Sequence, residues 1–244
     1  MDEKQREQLE KFKIFTRWMY DDCRGALEKA GAKWSDIIDL GVAVPTSIDP
    51  QSGEAFLSPA LGWKNIPIRK IMSKALGREL FIENDVNCGI LAEHLKGAAK
   101  PFKNVVGFFV GTGLGGGIII NGELYRGARG LAGELGHETI KFNGRKCGCG
   151  KRGCLEAYCS KTAFAKKLRK IVESKKGKTV LSKTNDAKFK NLKSSDLAKA
   201  YFDGDELVRE VLEDGFYMLG LATANIVSIL DPECVVYGGG VVEA

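Results

Sequence analysis

Between Val105 and Ile120 the chain runs for sixteen residues without a charge, and six of the sixteen are glycine. The run reads as a strand over Val105–Val110, a turn over Gly111–Gly117 (GTGLGGG), and a second strand over Gly117–Ile120. No side chain shields the backbone across such a turn, so successive N–H groups can face one ligand. The stretch is too short and too broken by glycine to span a bilayer. It is not a P-loop, because no Lys-Ser/Thr follows, and not a dinucleotide fingerprint, because a strand rather than a helix follows. A phosphate cradle and a tight hairpin are both open readings at this point. Asn121-Gly122 then signals a hairpin into a further short strand.

Strands alternate with helices around this centre, which predicts an α/β fold. Leu9, Phe12, Phe15, Met19, Cys23, Ala26 and Ala30 recur at steps of three and four, as on an amphipathic helix that Gly31 would stop. Ile37–Val44 reads as a buried strand, Thr46–Gly62 as a turn-rich loop, Ile66–Leu76 as a helix, Glu79–Ile82 as a short strand and Val86–Lys96 as a helix. Helices are predicted at about 155–173, 194–202 and 204–229, and a last strand over Cys234–Tyr237 enters Gly238–Gly240. A break near residue 100 divides the chain into lobes at 1–103 and 104–244. At 244 residues it can bury a core without staples.

The opening MDEKQREQLEK lacks the apolar centre of a signal peptide. With seven cysteines, an odd number, a reducing cytoplasm is the expected location and a disulfide framework is not. No membrane is expected as a partner. The formal net charge of +6 is local in origin: residues 161–193 hold twelve Lys/Arg against two acids, and the remainder is slightly acidic. Two aromatics and no recognition motif in that segment favour a solvated face over a nucleic-acid patch, so no nucleic acid is expected either.

Three cysteines crowd into Cys147-x-Cys149-x4-Cys154, ten residues after His137. Three thiolates and one imidazole make a closed tetrahedral zinc set of structural type. Glu134 and His137 stand three apart beside this loop, and Glu156 follows the last cysteine by two. Carboxylates with an asparagine suit the vicinal hydroxyls of a sugar, although a surface zinc knuckle with solvated acids fits the same residues. Asp85, in Glu83-Asn84-Asp85, ends one element and begins the next. There an Asp either caps a helix or faces the ligand crevice at a strand's C-terminal end and takes a proton. Local sequence leaves both open.

The order of FIENDVN, GTGLGGG, GELGHE and CGCGKRGCLEAYCS between Phe81 and Ser160 resembles the ROK family of repressors and sugar kinases, in particular its glucokinase-like members. Weaker similarity covers GVAVP at 41–45 and DPECVVYGGGVV at 231–242. The resemblance implies an actin-like ATPase (ribonuclease H-like) fold, two α/β lobes around a cleft, and ATP-dependent phosphorylation of a hexose in a dimer or tetramer. It implies Asp85 as general base, Asn84, Glu134, His137 and Glu156 as sugar-binding residues, and His137, Cys147, Cys149 and Cys154 as structural zinc ligands. It implies Gly111, Thr112, Gly113, Gly115 and Gly116 as the phosphate loop, and Gly239 and Gly240 as the adenosine-side turn. The family's Asp-x-Gly-Gly-Thr motif, which holds phosphate and Mg2+, is not among these 244 residues. The chain therefore reads as truncated at both ends and impaired as a kinase. The alternative is a non-catalytic, zinc-stabilised sugar-binding or regulatory module.

Overall fold

The computed structural model describes residues 3–58, 63–184 and 189–244. They form two compact units, Met1–Cys88 with Arg126–Leu131, and Gly89–Tyr125 with Ala132–Ala244.

In the first unit the three-and-four periodicity becomes α1 (Glu3–Lys29), and Gly31 follows it at φ +68°. Phe12, fully buried, meets Trp63 edge to face at 4.9 Å. β1 (Gly41–Val44) pairs in parallel with β4 (Phe81–Asn84), Val44 opposite Asn84. β2 (Ala55–Ser58) and β3 (Trp63–Ile66) form an antiparallel pair between them. α2 (Ile68–Leu76) follows and stops at Gly77 in the left-handed region. The core joins Phe12 to Val44, Ala55, Ile68, Met72 and Ile82.

Three expectations are corrected here. The first strand is half the predicted length and buried only at alternate residues: Ile38 lies before it and is 91% exposed, pairing starts only where Gly41 meets Phe81, and within the strand Gly41 and Ala43 are exposed. Thr46–Gly62 is not all loop, since Ala55–Ser58 is strand; residues 59–62 of that stretch lie outside the described residues. The strand predicted at Glu79–Ile82 sits two residues later, so Glu83 and Asn84 are part of it.

α3 (Asp85–Lys96) leads into the second unit. Its sheet holds β5 (Val105–Val110), β6 (Leu114–Ile120), β7 (Glu123–Leu124) and β8 (Cys234–Gly238) in the order β7-β6-β5-β8. The first three are antiparallel neighbours and β8 runs parallel to β5. Asn121 and Gly122, both at positive φ, make the predicted hairpin turn. The crossover from β7 to β8 carries α4 (Lys161–Glu173), the single turn α5 (Leu181–Thr184), α6 (Ser194–Phe202) and α7 (Glu206–Leu230). Val208, Val211 and Ala222 of α7 bury against Phe108, Phe164 and Leu168 in the main core. The helix predicted from residue 155 begins properly at Lys161, where the Ser160 hydroxyl caps it by accepting the Ala163 N–H; a 3-10 turn at Leu155–Ala157 precedes it.

The glycine run is also divided differently. Its turn is only Gly111–Gly113, and Gly115, Gly116 and Gly117 are strand residues of β6 paired to Phe109, Phe108 and Gly107. A Cβ on Gly116 would meet Leu135 Cγ at 2.5 Å, so that glycine makes room for a packed side chain. No described helix is long and apolar enough to cross a membrane.

Candidate active site and metal centre

β4 ends at Asn84 and α3 starts at Asp85 without a connecting residue. Asn84 Oδ1 accepts the N–H groups of Val86 (2.9 Å) and Asn87 (3.0 Å), which makes Asn84 the helix cap. Its Nδ2 donates to Thr46 O at 3.3 Å and ties the cap to the end of β1. Asp85 is exposed at the C-terminal end of a parallel strand, with one carboxylate oxygen 2.9 Å from the Val86 N–H.

Glu83 holds this corner. Its Oε1 accepts from the Asn84 N–H and from Asn87 Nδ2, both at 2.9 Å, and its Oε2 pairs with Arg126 Nε at 2.8 Å. Half-burial raises the Glu83 carboxyl, but these donors from Asn87, Asn84 and Arg126 outweigh it and hold it below the usual carboxylate range.

In the second unit the glycine turn is fixed by α4. The N–H groups of Lys161 and Thr162 donate to Gly111 O (3.0 Å) and Thr112 O (3.3 Å), and the Thr162 hydroxyl donates to Thr112 O at 2.7 Å. With those carbonyls turned towards α4, the N–H groups of Thr112 and Gly113, antiparallel to them across trans peptides, face the other way. Gly113 must lack a side chain, since a Cβ would stand 2.5 Å from Glu156 Oε2. The turn after β8 closes on the same strand end. Gly239, at φ +90°, passes so near that a Cβ would lie 2.7 Å from Val110 O, and a Cβ on Gly240 would be 3.6 Å from Ser194 Oγ.

The predicted metal set is assembled. The ligand atoms of His137, Cys147, Cys149 and Cys154 all lie within 4.8 Å of one another. Cys149 and Cys154 sulfurs are 3.7 Å apart, as are Cys147 Sγ and His137 Nδ1. A tetrahedron with metal–sulfur bonds near 2.3 Å has edges of about 3.8 Å, so donors and spacing both fit zinc. Burial, opposed by the Cys149 N–H, pushes the Cys147 thiol up to about 12, and burial raises Cys154 as well. At Cys149 burial acts upward too, but the Lys151 N–H and the neighbouring thiols outweigh it and the net shift is downward.

The loop has its own supports. Bridges join Thr139 to Cys154 and Lys146 to Arg152. The Arg145 guanidinium lies 4.4 Å over the Tyr158 ring, and the Arg145 N–H donates to the Tyr158 hydroxyl at 2.8 Å. Arg145 and Lys167 both reach Asp214 of α7, at 3.5 and 3.8 Å.

Among the predicted sugar residues, Asn84 belongs with Asp85 to the first unit, and Glu134, His137 and Glu156 belong to the second. Glu134 is exposed at the start of the 3-10 turn Leu135–His137. Glu156 joins the glycine turn to the cysteine loop: its Oε2 accepts the Leu114 N–H at 3.2 Å, and Cys147 Sγ donates to its Oε1 at 3.6 Å. Sequence reasoning missed Glu83, Arg126 and the Arg145–Tyr158 clamp. Only the Asn84 cap had a local signal, an asparagine directly before a helix.

Comparison with known proteins gives a consistent picture. A sequence profile described as the ROK family matches residues 2–244. A xylose repressor of Caldicellulosiruptor bescii is 33% identical over 222 residues, 91% of this chain and 55% of the repressor. A glucokinase of Halalkalibacterium halodurans is 35% identical over 212 residues, 86% of this chain and 63% of the enzyme. A crystal structure of a ROK family glucokinase from Streptomyces griseus, in complex with glucose and AMPPNP, superposes with a TM-score of 0.80 at 26% identity, covering 93% of this chain and 73% of that one. The chain thus spans between about half and two thirds of the two curated relatives' lengths.

Proposed function

The chain belongs to the ROK family and has its actin-like ATPase (ribonuclease H-like) fold, and on that premise we propose that it carries the chemistry of an ATP-dependent hexose kinase. Asp85 is the general base. It takes the proton of the sugar hydroxyl as that oxygen attacks the γ-phosphorus, and ADP leaves. The observation that carries this reading is the division of labour at the end of β4: Asn84 takes the N–H groups of Val86 and Asn87 and caps α3, so the exposed Asp85 commits only one carboxylate oxygen, to the Val86 N–H it shares with Asn84.

Asn84, Glu134, His137 and Glu156 are the proposed hexose partners. Asn84 has one amide N–H beyond the one given to Thr46. His137 turns Nδ1 to the thiols, which leaves Nε2 to act outside the cluster. Thr112 and Gly113 offer backbone N–H groups to the donor phosphates, and Gly239 and Gly240 bound the nucleoside side. Gly115 and Gly116 support this turn from within β6 rather than contacting phosphate. Zinc, when bound, is structural and fixes the loop that presents His137 and Glu156. Magnesium would neutralise charge on the nucleotide, and no residue of this chain is assigned to it. Free thiols throughout favour a reducing cytoplasm.

A coupled ADP-release assay across a hexose panel tests the proposal. Asp85→Asn is expected to lower hexose-dependent turnover by about a hundred- to ten-thousand-fold while sparing hexose binding. Equal turnover in the variant removes Asp85 from the mechanism. The similarity to a xylose repressor supports a second reading, a sugar-responsive regulatory module; it predicts hexose or pentose binding with no ADP released by either protein.

A further inference from the structure

The junction that carries Asp85 is held by more than its helix cap. Glu83 stands opposite Ala43 in the β1–β4 pair, on the sheet face away from Ile82 and the core. One of its carboxylate oxygens accepts both the Asn84 N–H, at the end of β4, and Asn87 Nδ2, in the first turn of α3. Asn87 is buried, so its amide needs that acceptor. A single oxygen therefore bridges the residues on either side of Asp85. The other oxygen pairs with Arg126 Nε at 2.8 Å.

Arg126 opens the segment Arg126–Leu131, which belongs to the first unit. A Cβ on Gly130, at φ +70°, would overlap Ile48 O and stand 3.0 Å from Pro50 Cδ. Ile48 lies two residues after Thr46, whose carbonyl receives Asn84 Nδ2. The segment is thus tied at one end to Glu83 and packed at the other against the loop that anchors the cap. Arg126 makes no second ion pair among the described residues.

As a stabiliser the Arg126 pair contributes little, because Arg126 is 40% exposed and solvent screens it. Its effect on position is larger. Asp85 commits one oxygen, to the neighbouring Val86 N–H, so the backbone of the junction decides where its carboxylate stands. A misplacement of about 1 Å at a reacting group costs about a hundredfold in rate.

We infer that Arg126 and Glu83 are positioning residues for Asp85. Arg126 holds the Glu83 carboxylate, Glu83 holds the β4–α3 junction, and the pair sets the rate of phosphoryl transfer without touching the sugar. The inference rests on the proposed role of Asp85 as general base.

Steady-state kinetics and hexose calorimetry of the zinc-loaded chain test it. Arg126→Met is expected to lower kcat about tenfold or more. Its KM and Kd for the hexose should stay within about twofold of wild type, as for a group that acts only in the transfer step. Arg126→Lys should recover part of the loss, since an ammonium group can still pair with Glu83. Glu83→Gln is a second variant expected to act in the same direction. Glu83→Gln combined with Arg126→Met should be no slower than the slower single variant, because Arg126 acts through Glu83. Circular dichroism and zinc content report whether each variant is folded. Unchanged kcat in either folded single variant overturns the inference and leaves the reading of Asp85 standing. A raised KM at unchanged kcat, or losses that multiply in the double variant, also overturn it. A wild type that binds hexose but releases no ADP ends the proposed function and the inference together.

Discussion

Glu83 accepts from three donors at once, and removing its charge should be visible in the pH dependence of stability. Its folded carboxyl lies below the ordinary value of 4.5. The unfolded chain therefore binds the proton first, and the stability Glu83 contributes is present above that value and lost as pH falls through the folded one. Denaturant titrations of wild type and Glu83→Gln should show the wild type losing stability more steeply below about pH 4.5; parallel curves would mean the network is energetically idle. Glycines give a second contrast. Gly153, at φ +82°, has the Lys141 carbonyl where a Cβ would go, whereas Gly148 has nothing within 4 Å. Gly153→Ala should cost on the order of 1–3 kcal/mol and Gly148→Ala almost nothing, read from denaturation midpoints. The Asn84 cap was legible locally, since its partners Val86 and Asn87 lie two and three residues on, but its anchor on Thr46 spans 38 positions, and such a contact has no local trace in the sequence.

At the scale of elements, the cysteine loop was the most legible part of the chain, because metal geometry fixes ligand type and spacing together. Burial keeps the Cys147 and Cys154 thiols protonated at neutral pH without an ion. Zinc uptake should therefore release protons, measurable as a binding enthalpy that changes with the buffer's ionisation enthalpy. A buffer-independent enthalpy would place the thiols already ionised. The short strands were less legible. Ala55–Ser58 and Trp63–Ile66 are four residues each, too short for alternation to register, and turn-forming residues surround them. β6 starts three residues earlier than the pattern suggested, because glycine reads as turn even where it serves as strand. There it lets Leu135 pack against the sheet.

At the scale of the molecule, the α/β class and the order of motifs were readable from the sequence. The division of the chain was less so: Arg126–Leu131 belongs to the first unit although β7 and Leu135 on either side belong to the second. The Arg126–Glu83 pair joins residues 43 positions apart, a link that no window of sequence contains. The relatives of this chain include a glucokinase and a xylose repressor, and the proposed function has the chain transfer phosphate to a sugar with Asp85 as the base. Phosphorus NMR of the chain with ATP, magnesium and a hexose separates transfer from binding alone. A sugar-phosphate resonance that rises in step with ADP, slowly in the wild type and not at all in Asp85→Asn, is the predicted result. Inorganic phosphate as the sole product, no product from either protein, or equal sugar phosphate from both would contradict it.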